Sequence, residues 1–164
     1  MPKHFDPNAY GPAVVRILAG LPLSPIGPGT PREELRANLE SLDLTAACKA
    51  GMWLRCDFLN ESHEISQELH SVEGSFWHTI MHRREPDAFN SKYWFRRVGK
   101  HPVIDSLVQE APALGYEYTN QADFVDFCEK YRDTGSEQEE LAKRVQQLEW
   151  ELLFDHCFQQ SKSG

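Results

Sequence analysis

From residue 32 to residue 85 the chain carries no proline, and through much of that stretch apolar side chains return every three or four positions. That period belongs to an α-helix with one buried face, and a proline-free run leaves the helical hydrogen bonds unbroken. Leu35, Leu39 and Leu42 mark one such face. Ala46, Ala47, Cys48, Met52, Trp53, Cys56, Phe58 and Leu59 continue the spacing. No run alternates apolar and polar residues as a half-buried strand must. The expected fold is therefore all-α: one helical domain over residues 1–164, a bundle of about six to eight helices.

Helix punctuation divides the rest. Residues 1–30 read as a proline- and glycine-rich surface arm, a short helix from Pro12 closed near Gly20, and a rigid connecting loop where prolines 22, 25, 28 and 31 forbid regular structure. Thr30, Pro31 and Glu33 have the form of a helix start. A largely buried helix is expected to about Leu59, breaking near Asn60 and resuming through Ile65 and Leu69, or running on. Residues 72–75 read as a turn, with Ser75 capping the next helix. Asp87 or Asn90 begins another, which Gly99 closes. Pro102 starts a helix that fails around Pro112 and Gly115, a short amphipathic helix spans 122–131, and Ser136 with Glu139 forms a capping box for the last helix, to about Phe158.

Composition narrows the function classes. With 40% hydrophobic and 26% charged residues the chain resembles ordinary folded proteins. No segment is apolar for long enough to span a membrane and no secretory signal opens the chain, so the expected location is cytoplasmic. Cys48, Cys56, Cys128 and Cys157 are too scattered for a redox pair or zinc knuckle and read as reduced, buried thiols. A net charge of −8 argues against nucleic acid as a partner. Between His82 and His101, however, six basic residues face only two acidic ones. That local contrast singles out residues 61–102 as the block that carries a site.

Three sets of side chains in the block have chemistry to offer. His78 and His82 stand one turn apart on one helical face, and antiparallel packing of 61–70 against 76–84 would bring His63 or His70 towards them. With Glu61 nearby, three imidazoles and a carboxylate suit a divalent transition metal with a position left for water, or proton transfer without metal. The bland alternative is histidines that hydrogen-bond within the fold. The arginine pairs Arg83–Arg84 and Arg96–Arg97 offer planar forks for carboxylate or phosphate, unless acidic neighbours occupy them. Trp77, Tyr93 and Trp94 would wall a groove or join the core.

The phrases Glu61-Ser-His, Gly74-Ser-Phe-Trp-His-Thr-Ile-Met-His-Arg-Arg-Glu-Pro-Asp and Asn90-Ser-Lys-Tyr-Trp-Phe-Arg-Arg-Val-Gly-Lys-His-Pro resemble a family of uncharacterised bacterial proteins. No activity comes with that resemblance; it implies that residues 61–102 act as one unit. The expected function is a polar pocket for a small anionic molecule. In it His63, His78, His82 and Glu61 are candidate catalytic residues, the same three histidines candidate metal ligands, and Arg83, Arg84, Arg96, Arg97, Trp77, Tyr93 and Trp94 candidate ligand-binding residues. Metal-assisted hydrolysis or acid/base chemistry would fit. The alternative is a non-enzymatic interaction or scaffold module, its aromatic and arginine surface gripping a partner protein or a second copy as a homodimer.

Overall fold

A computed structural model describes residues 5–163, and those residues form α-helices and short 3-10 turns with no strand. The helices are α1 (Pro12–Leu18), α2 (Arg36–Glu40), α3 (Ala46–Arg55), α4 (Leu59–Glu68), α5 (Val72–Arg84), α6 (Ala88–Val98), α7 (Pro102–Glu110), α8 (Gln121–Tyr131) and α9 (Glu137–Ser163). The chain is all-α, and one continuous core draws on nearly every helix. Among the described residues no helix is long and apolar enough to cross a membrane.

The pillar is α9, 27 residues long. Its buried residues Ala142, Val145, Leu148, Trp150, Leu153, Phe154 and Cys157 run around much of its circumference, so α3, α7 and α8 can all pack on it. Half of the expected capping box forms at its start: the Glu139 N–H donates to Ser136 Oγ at 3.2 Å, but the Glu139 carboxylate accepts from the Asp133 and Gly135 N–H groups while the Ser136 N–H turns to Thr134 Oγ1. Asp87 proves to be the cap of α6, accepting from the Asn90 N–H at 3.1 Å, and Gly99 ends that helix at φ +65°. Gly51 lies inside α3 because a Cβ there would sit 2.6 Å from Cζ2 of Trp77. The Trp77 indole needs that vacancy.

Four boundaries and placements depart from expectation. Thr30 caps nothing: the Arg32 N–H donates to the Cys56 carbonyl, which holds the chain extended until a 3-10 turn at Glu33–Leu35 leads into α2. The break after α3 falls at residues 56–58, with Asp57 at φ +69°, ahead of Asn60. Ser71, and not Ser75, caps α5 through the Gly74 N–H at 3.1 Å. Gly74 belongs in that first turn because the incoming chain crosses it, leaving 2.6 Å between a would-be Cβ and Leu69 Cβ. The N-terminal arm, finally, is no mere surface arm over its described part: Tyr10 is buried against Phe154 and Phe158 and its hydroxyl donates to Asp155 at 2.7 Å.

The proline-rich loop is an inlaid strap. Ser24 and Ile26 are buried, and prolines and an irregular path deny the strap's carbonyls any partner of its own. Side chains from three helices and from Arg132, just past the end of α8, supply the donors: Arg55 to Pro22 (2.9 Å), Gln146 to Pro25 (3.0 Å), Arg132 to Ile26 (3.2 Å) and Arg84 to Gly27 (3.0 Å) and Pro28 (3.4 Å).

Candidate metal centre

Helices α4 and α5 run side by side across the short connection at residues 69–71, and this sets His63 of α4 opposite His78 and His82 of α5. The His63 ring centroid lies 4.7 Å from that of His78 and 5.6 Å from that of His82, and His78 and His82 stack at 4.7 Å. One ligand nitrogen from each ring can be chosen so that all three fall within 4.8 Å of one another. Metal–imidazole bonds of about 2.0–2.1 Å set tetrahedral ligand atoms roughly 3.3 Å apart. Coordination would therefore have to draw the three nitrogens closer together than they stand here. His70, past the end of α4, is exposed and takes no part.

The surroundings disfavour the charged form of two of the three imidazoles, His78 and His63. His82 Nδ1 lies 2.6 Å from Glu85 Oε1, so a proton on Nδ1 is held by the carboxylate and Nε2 is left with its lone pair outward. Trp94 of α6 stacks flat on His78, centroids 4.0 Å apart at 12°, and the Arg97 guanidinium lies 5.2 Å from the Trp94 ring centre. Burial pushes His78 down to about 4, helped by the adjacent charge-bearing rings of His82 and His63. Burial, then His82, also lowers His63. His78 Nδ1 is buried without a hydrogen-bond partner. Polar atoms in that condition are rare in folded proteins and ask for a reason. With His78 and His63 both disfavoured as cations and His78 Nδ1 left without a partner, one shared dication would suit the cluster.

The other candidates from the sequence are dispersed. Glu61 stands apart from the imidazoles, its Oε2 3.0 Å from Arg36 Nη1; the carboxylate that touches the cluster is Glu85. The signal for Glu85 was present as His82 and an acid three residues on, the spacing of one helical turn. Arg83 is fully buried in a two-pronged pair with Glu149 (2.7 and 3.1 Å), and its Nη2 also donates to Gln146. Arg84 donates to Asp57 at 2.6 Å and to the Leu54 carbonyl besides holding the strap. Neither guanidinium is open to a ligand, which corrects their expected role. Trp77 is likewise core, fully buried beneath α3. Tyr93, Trp94, Arg96 and Arg97 do remain at the surface or its edge.

A second node, missed from sequence, joins three distant helices: Glu73 Oε2 lies 2.8 Å from His101 Nε2 and 3.4 Å from His156 Nε2. It suits an ion less well. His101 Nδ1 accepts the Val103 N–H at 3.1 Å, so its proton sits on Nε2 and is donated to Glu73. A metal on that nitrogen would require an imidazolate. Hydrogen bonding accounts for this node; it does not account for the first.

No family model matches the sequence, and comparison with curated proteins and with solved structures returns no similar chain. Geometry and chemistry therefore carry the functional reading alone.

Proposed function

We propose that the chain binds one divalent transition metal ion through His63, His78 and His82, with Glu85 orienting His82 and one coordination position left for exchangeable water. The observation that carries this reading is the meeting of three imidazoles from two helices, one of them with a buried nitrogen that nothing in the fold satisfies. An all-imidazole set favours zinc, copper, nickel or cobalt over magnesium or calcium, which prefer oxygen. A three-histidine site with an open position suits metal-assisted hydrolysis, since a bound water ionises near neutral pH. The compound acted on would be small and anionic: Arg97, beside the Trp94 ring that covers His78, provides the positive charge. A reducing cytoplasm suits the four free, buried cysteines.

Cobalt(II) provides the test, because four-coordinate cobalt absorbs strongly in the visible and six-coordinate aqueous cobalt does not. Titration of the chelator-treated protein is expected to raise those bands to an end point of one ion per chain. His63→Gln, His78→Gln and His82→Gln should each weaken or abolish them. Absence of bands in the unaltered protein, or bands indifferent to all three substitutions, would overturn the assignment.

A further inference from the structure

Phe89, Tyr93 and Arg96 on the outer face of α6 have a chemistry that the metal centre does not use, and Arg97 stands at the edge between the two. The inner side of this helix is committed: Ser91 and Val98 are buried, Ser91 Oγ donates to the Thr79 carbonyl at 2.8 Å, and Phe95 meets Phe76. On the opposite side Phe89, Tyr93 and Arg96 follow one another at four and three residues, forming a single row with Arg97 along its edge. Phe89 is 77% exposed and Tyr93 42%. Arg96 and Arg97 are exposed as well. Aromatic and arginine side chains are the ones that dominate binding energy at protein interfaces.

Charge selects the partner. The row is aromatic in its first half and basic in its second, in a chain whose net charge is −8. Two copies packed with α6 antiparallel about a two-fold axis place each aromatic half on the other's basic half and hold the arginine pairs apart. Parallel packing would oppose arginine to arginine. Guanidiniums already take ring faces along this helix: Arg96 lies 5.9 Å from the Tyr93 centroid and Arg97 5.2 Å from that of Trp94. At the flank Asp126, its side chain 64% exposed and 2.7 Å from Lys92 Nζ, offers a carboxylate to an incoming arginine.

We infer that the outer face of α6 is a self-complementary docking surface for a second copy of this chain, Phe89 and Tyr93 of one copy lying against Arg96 and Arg97 of the other. A seam one helix wide falls at the small end of protein interfaces, below about 1,200 Å² in total, so the dimer is weak and reversible, with a roughly micromolar dissociation constant.

Sedimentation equilibrium across a range of protein concentrations tests it. The unaltered chain is expected to show a monomer–dimer equilibrium. Phe89→Lys puts like charge against the basic half, and the double substitution Arg96→Glu/Arg97→Glu removes the cations; each should weaken the dimer about tenfold or more. Mixed together, the two variants should associate again, because Lys at 89 meets Glu at 96 and 97 across the antiparallel seam. All of these positions are exposed, so folding is not at stake. A chain that stays monomeric at every concentration, a dimer indifferent to both variants, or a mixture that fails to associate would each overturn the inference.

Discussion

Replacing Arg83 by Met tests whether this arginine serves the fold or a ligand. Its side chain and that of Glu149 are both fully buried, 2.7 Å apart at the closest atoms. The guanidinium also lies 4.7 Å from the Phe124 ring centre. Burial disfavours its charge, and the neighbouring Glu149 more than offsets that effect. Removing one partner strands the other charge where water cannot reach it, a loss of about 3–5 kcal/mol. A chain of this size loses roughly 2–4 °C of Tm per kcal/mol, so a fall of about 6–20 °C is expected. Arg83→Met/Glu149→Leu removes both charges and leaves the Gln146 amide oxygen without its donor, a smaller cost than a stranded charge, so it should recover at least half of that loss. Urea denaturation of the two single variants and the double gives the coupling directly. Single variants within about 1 kcal/mol of the unaltered chain, or a double variant losing the sum of the singles, would refute the reasoning.

Three further outcomes follow from particular contacts. Gly51→Ala should destabilise by about 1–3 kcal/mol in a melting experiment, against the usual helix preference for alanine, because its Cβ would overlap the Trp77 ring. Stability should fall as pH drops below the ordinary histidine range: burial, first of all, lowers the pKa values of His78, His63 and His156, so the unfolded chain takes up protons there before the folded one does. His78→Gln and His156→Gln should each remove part of that slope when unfolding is followed between neutral and mildly acid pH, and a slope unchanged by either would exclude that histidine as a source. Glu85→Gln removes the carboxylate from His82 Nδ1 and should lower metal affinity about 10–100-fold while leaving the stoichiometry intact, as read by competition with a chelator.

What could be read from the sequence was whatever local chemistry decides. Ser136 with Glu139, Asp87 and Gly99 act within a few residues of where they stand, and each fixes the helix end that its type implies. His78 and His82 were legible because helical geometry alone sets them on one face, and the short connection before α5 leaves α4 little choice but to lie alongside. The failures came from distance along the chain. Thr30 looks like a cap but loses its helix to a hydrogen bond that Arg32 makes to Cys56. Arg83 and Arg84 look like an anion clamp until Glu149, 66 residues away, and Asp57, 27 away, are found to claim them. The strap looks like a linker because its donors come from Arg55, Arg84, Arg132 and Gln146, none adjacent to it.

The central claim is that the imidazoles of α4 and α5 share one metal ion. Equilibrium dialysis against zinc followed by elemental analysis tests it most directly. One zinc per chain, reduced to a trace in His78→Gln/His82→Gln, is the predicted result. Substoichiometric zinc in the unaltered protein, or one equivalent retained when both histidines are replaced, would contradict it.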